Sequence, residues 1–293
     1  RTGTHLLAVG ACLAGLALCA PGAKATVTGP NPCPTLPSPA GMGDSIVAQV
    51  QFPYSPAPDP MRYYEGAILR PADTALYPGK RPVVLIQHGW GNDMCSLWWV
   101  AQYLAGHGFV ATIHETPFFG DPDDFFIRVL EDMPMIINAD MAVIDYLGSN
   151  DNVFADFTDA TKLGYAGHGV GSMAASYIPG QHPELGIDAV AALNNLRALV
   201  VGDPGGVYDE CLVEPQIRTL PTVPALGIAM DEPCESNPTN TGPTLKIVGW
   251  EWWKSHAIPS MEVVMRGYGD SDFVGDNDGT DAWKDMGHYL DAW

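Results

Sequence analysis

The sequence predicts an α/β fold with a mostly parallel central sheet and helices on both faces. Two observations lead there. Short apolar runs rich in β-branched residues, such as residues 82–87 and 109–113, alternate with longer segments of helical spacing. Those runs are continuously apolar rather than alternating, as strands buried on both faces require. With 293 residues, 46% of them hydrophobic, the chain can bury one large core, and no linker divides its main body.

The elements follow in order. Residues 26–60 are rich in proline, glycine and small polar residues and read as an extended N-terminal arm, leading into a strand pair around 45–52 and 64–69. Residues 82–87 form a buried strand that ends at His88-Gly89-Trp90-Gly91. Residues 97–107 are helix-like and precede the strand 109–113. Between 124 and 147, Ile127, Leu130, Ile136, Ile137, Met141, Ile144 and Leu147 recur at helical spacing. Residues 161–166 read as a strand and 172–177 as a helix start; 198–201, 224–229 and 261–265 are further strands. There is no internal repeat.

The formal charge of −20 makes the surface repel phosphates, which excludes nucleic acid as a partner. Residues 6–20 form an uninterrupted apolar run, followed by the small-x-small pattern Ala23-Lys24-Ala25. Residues 1–25 are therefore expected to be an export signal or, if retained, a short membrane anchor making contact through residues 4–20; residues 26–293 form the domain. The run is short for a spanning helix of about 20 residues, which favours the signal. The destination is then secreted, periplasmic or, in a photosynthetic cell, the thylakoid lumen. Of the six cysteines, Cys33, Cys95, Cys211 and Cys234 lie in the body, enough for two disulfides in an exported chain. Cys211 and Cys234 flank one expected strand and are the first candidate pair.

The stretch Gly167-His168-Gly169-Val170-Gly171-Ser172 carries the most chemistry. A strand, a sharp glycine turn and a helix are the setting of a nucleophile elbow, G-x-S-x-G. Here the middle residue is Gly169, which has no side chain to form an acyl-enzyme.

Several further motifs join it. They are His88-Gly89-Trp90-Gly91 after a strand, Gly106-His107-Gly108-Phe109, Val201-Gly202-Asp203-Pro204 and Tyr268-Gly269-Asp270-Ser271-Asp272. In this order, across residues 80–276, the chain resembles the α/β-hydrolase superfamily, and within it chlorophyllases and the platelet-activating-factor-acetylhydrolase-like and polyester-hydrolase-like lipases. The resemblance implies an α/β-hydrolase fold and a triad of nucleophile, acid and base. The nucleophile position is Gly169. The acid position matches Asp203, with Asp231 the alternative one strand later. The base position, histidine in the Tyr-Gly-His-x-Asp pattern of chlorophyllases, is Asp270 here, and a carboxylate titrating near 4 is a poor base at neutral pH. The Trp90 and Val170 amides occupy the oxyanion-donor positions.

Two triad positions are thus substituted, and the expectation is a catalytically inactive, chlorophyllase-like homologue. It would bind an apolar, lipid- or pigment-like ligand or a protein partner, in contact with a membrane or a pigment-protein assembly, and need no cofactor. The alternative is an active ester hydrolase with a displaced base and a nucleophile such as Ser172; His256 and His288 are the histidines near the C-terminal region. Asp270, Asp272, Asp276 and Asp278 crowd one loop, read either as a calcium site or as a solvated acidic loop. Trp98, Trp99, Phe118 and Phe119 follow strand ends, read either as the walls of an apolar cleft or as core packing.

Overall fold

The computed structural model describes residues 33, 43–54, 62–89, 92–116, 125–193, 222–230, 259–266, 268, 273 and 282–292. Eight strands form one sheet: β1 (Ser45–Tyr54), β2 (Arg62–Pro71), β3 (Arg81–Gln87), β4 (Val110–His114), β5 (Thr158–His168), β6 (Ile187–Leu193), β7 (Ala225–Met230) and β8 (Ser260–Met265). The order is β1-β2-β4-β3-β5-β6-β7-β8. β1 and β2 pair antiparallel, as do β2 and β4, and every pairing from β4 onward is parallel. The expected mostly parallel α/β sheet is what forms.

Among the described residues four helices cover it: α1 (Trp98–Gly106), α2 (Phe125–Gly148), α3 (Val170–Gln181) and α4 (Ala282–Ala292). The strand period of two divides the core into halves. Val83, Leu85, Leu163, Tyr165, Val190 and Ala192 point toward Ile136, Val143, Ala174 and Ile178 of α2 and α3. The intervening Ile86, Ala166, Ala191 and Leu193 point toward Trp98, Leu104, Met286 and Leu290 of α1 and α4. Both faces are therefore dry, which is why these strands read as unbroken apolar runs.

One strand was not expected. The strand that follows α3 is β6, which fills the place between β5 and β7, and the expected strand at 198–201 lies outside the described residues. The β6 sequence, IDAVAAL, is alanine-rich and carries an exposed aspartate, a weak strand signal. The aspartate has a local task, since Asp188 accepts the Leu163 N–H at 3.3 Å from the neighbouring strand. Sheet neighbours on both sides decide the conformation that propensity leaves open.

A disulfide joins Cys33 to Cys95, tying the N-terminal arm to the 3-10 turn Met94–Leu97 that leads into α1. Cys211 and Cys234 lie outside the described residues, as does the apolar run of residues 6–20. No described helix is long and apolar enough to cross a membrane. The Cys33–Cys95 bridge spans a sequence separation of 62, for which loop closure is worth about 4 kcal/mol. Cys95→Ala is expected to lower unfolding free energy by roughly 2–4 kcal/mol in urea melts, and reductant is expected to lower the wild type to the same level.

Candidate functional site

The strand order reverses at β3, which has β4 on one side and β5 on the other. In open α/β sheets such a switch point leaves a crevice beyond the carboxyl ends of the strands. His88 follows β3 there, and Gly169 follows β5.

A single residue makes the turn from β5 into α3. Gly169 has φ 57° and ψ −117°, a conformation that strains any residue with a Cβ. The flanking glycines are needed for a different reason. A Cβ on Gly167 would stand 2.0 Å from the Gly171 carbonyl oxygen, and one on Gly171 would stand 2.4 Å from the Gln87 carbonyl oxygen. Both obstacles are backbone. The G-x-G-x-G frame is therefore what lets α3 start directly on the ends of β5 and β3.

Ser172 is fully buried, and its hydroxyl donates to the Gly169 carbonyl at 2.7 Å, beside the Ser172 N–H bond to the same oxygen at 3.0 Å. The hydroxyl closes the first turn of α3 on the Gly169 carbonyl. His168 is buried with its ring against Phe273, centroids 5.5 Å apart. Its Nδ1 would meet a Cβ on Gly89 at 2.8 Å, so Gly89 must be small for the loop to cross it.

His88 ties β3 to β4. Its Nδ1 lies 2.9 Å from the Gly89 carbonyl, and its Nε2 accepts the Thr116 N–H at 3.1 Å. That pattern requires the neutral ring with its proton on Nδ1. Burial pushes the ring's pKa down to about 4, in agreement. Beside it, the Thr116 hydroxyl donates to Gln87 Oε1 at 3.0 Å. Glu115 accepts the Met94 N–H at 2.9 Å, which pins the far end of the same loop.

The described residues hold part of the expected site. Gly169 lies between β5 and α3, and Val170 is the first residue of α3. Trp90, Asp203, Asp231, Asp270, Asp272, Asp276, Asp278, Phe118, Phe119 and His256 lie outside the described residues. In sequence, Asp203 comes well after Leu193, the last residue of β6, and Asp231 comes directly after Met230 of β7. Trp98 and Trp99 are 0% and 2% exposed, and Trp99 Nε1 donates to the Phe273 carbonyl at 2.7 Å. Core packing, rather than an open cleft wall, describes both indoles. His288 is exposed on α4, with its ring against Tyr289. Among the described residues no group of His, Cys, Asp and Glu could hold a metal ion, and of the acidic loop only Phe273 is described. A cavity of about 260 Å³ lies elsewhere, between α1, α4 and the sheet, lined by Val84, Leu104, Phe109, Ala166, Ala191 and Leu290.

Sequence reasoning missed a buried polar cluster under the site. His114 Nε2 lies 3.5 Å from Asp140 Oδ1, and the Tyr165 hydroxyl donates to Asp140 Oδ2 at 3.1 Å. Burial pushes the His114 ring down to about 3 and the Asp140 carboxyl well up, so desolvation favours the neutral form of each. The signal was His114-Glu115-Thr116 directly after an apolar strand, three polar residues where a switch-point crevice begins.

The glycines yield a contrast. Gly171→Ala gains up to about 1 kcal/mol of helix propensity but meets immovable backbone, for which overpacking costs of roughly 1–3 kcal/mol are typical. Net destabilisation is expected in urea melts. Gly169→Ser is expected to cost about 1–3 kcal/mol through φ alone, with the fold retained by circular dichroism.

No protein-family model matches the chain, and no curated protein matches it by sequence. Solved structures do match. A dienelactone hydrolase from Anabaena variabilis ATCC 29413 superposes with a TM-score of 0.53 at 16% identity, over 84% of this chain and 95% of that one. A protein from Klebsiella pneumoniae subsp. pneumoniae MGH 78578, assigned as a dienelactone hydrolase, superposes with a TM-score of 0.60 at 14% identity, over 86% of this chain and 98% of that one. The sheet order, the elbow and these superpositions together make this an α/β-hydrolase fold.

Proposed function

We propose that the chain is a non-catalytic, chlorophyllase-like homologue of ester hydrolases that binds an apolar ligand or a protein partner at the elbow. The observation that carries this reading is Gly169, which keeps the elbow's φ of 57° without a side chain to use it. An elbow places its central residue under strain so that a nucleophile stands clear of the sheet. Here the geometry persists and the nucleophile is gone. Ser172, the nearest hydroxyl in sequence, is committed to the Gly169 carbonyl. Asp270 at the base position and Asp231 as the surviving acid complete the proposal, with Asp231 preferred to Asp203 because it directly follows β7.

The setting belongs to the same proposal. Export through residues 1–25 fits a chain with a Cys33–Cys95 disulfide, since oxidising compartments keep such bonds. A ligand that is neutral and apolar fits a surface carrying a formal charge of −20, which repels anions. A membrane or a pigment-protein assembly is the corresponding partner.

The purified chain is expected to give no turnover of p-nitrophenyl butyrate above buffer. Activity that co-purifies with the protein and disappears in Ser172→Ala would overturn the reading. Gly169→Ser combined with Asp270→His is expected to restore measurable ester hydrolysis. Restoration requires the oxyanion donors at Trp90 and Val170 to be in place, so the double variant also tests whether they have survived.

A further inference from the structure

The polar groups between the ends of β3 and β4 are arranged so that one added proton changes a hydrogen bond between strands. His88 Nε2 is the shared point. It accepts the Thr116 N–H at 3.1 Å, and Glu115 Oε1 lies 3.6 Å from the same nitrogen. In the neutral ring with an ionised Glu115, the amide rather than the carboxylate bonds to Nε2, because the nitrogen and the carboxylate are both acceptors. An added proton has two places to go. On Nε2 it makes the ring a donor toward Glu115 and repels the Thr116 N–H. On Glu115 it makes the carboxyl a donor toward Nε2 and competes with the Thr116 N–H for the one lone pair. Both outcomes displace the same bond.

We infer that His88 and Glu115 form an acid-operated switch that exchanges the Thr116–His88 bond for a Glu115–His88 bond. The switch sits where the chain leaves β4, and it is independent of whether the elbow binds anything. Two features fit it for the task. Glu115 is 37% exposed, so protons reach the pair, while the His88 side chain is fully buried, so water cannot replace the lost amide bond. Glu115 also holds the Met94 N–H, so the exchange pulls on both ends of the loop that begins at His88.

The surrounding charges set the pH. Asp93 on the loop and Glu65 on β2 raise the affinity of the pair for a proton, while His114 on β4 and His168 on β5 oppose a charged ring. Burial lowers the His88 ring to about 4 and raises the Glu115 carboxyl above its usual value, so the two groups draw together in their affinity for a proton. The sign for stability follows. His88 is depressed on folding, so its contribution is complete above about 6.5 and is lost as pH falls through about 4.

The test is a proton and nitrogen NMR titration of the whole chain between pH 7 and 3.5, following the Thr116 amide and the His88 ring nitrogens. The expected result is a Thr116 amide shift that moves upfield in step with the His88 Nε2 signal, on one midpoint. Glu115→Gln is expected to move that midpoint at least about half a pH unit toward acid, because the carboxylate that attracts the proton is gone. Circular dichroism is expected to stay unchanged across the transition. A Thr116 amide that ignores the His88 titration would overturn the proposal. So would an unchanged midpoint in Glu115→Gln, or global unfolding before either group titrates.

Discussion

Backbone meets backbone where α3 begins. Gly171 passes so near the Gln87 carbonyl, and Gly167 so near the Gly171 carbonyl, that a single added carbon at either position would overlap main-chain oxygen. Main chain cannot rotate away as a side chain can, so this approach dictates much of the rest. It draws the ends of β3 and β5 together at the point where strand order reverses. It forces the turn into one residue, and that residue into a positive φ. A crevice beyond the strand ends is the geometric result.

Electrostatics at this crevice work through neutral groups. His88 is held in one tautomer by a donor bond to Gly89 and an acceptor bond from Thr116. Below it, burial favours neutral forms of His114 and Asp140. Burying an unpaired charge costs several kcal/mol, so desolvation works against the charged forms of both groups.

The fold was legible in the sequence because both faces of the sheet are buried. Apolar runs at 82–87, 109–113 and 161–166 all lie within strands or at their starts, and the long helical spacing after residue 124 lies within α2. The elbow was legible for a different reason, since its glycines are required by contact distances that no other residue can meet. What escaped was governed by neighbours. β6 forms from an alanine-rich segment because β5 and β7 supply its hydrogen bonds, and Cys33 pairs with Cys95 across a sequence separation of 62 that no local pattern reveals. Trp98 and Trp99 follow a strand end yet fill the core, which their position in sequence cannot reveal.

The sequence by itself determined the α/β class and the place of the glycine turn between β5 and α3, with glycine at its centre, because periodicity and the identity of residue 169 are local properties. Only the tertiary structure decided which strand follows α3, which cysteine Cys33 joins and how His88 holds its proton. Each of these depends on which groups, distant along the chain, come within a few ångströms of one another, and packing alone settles that.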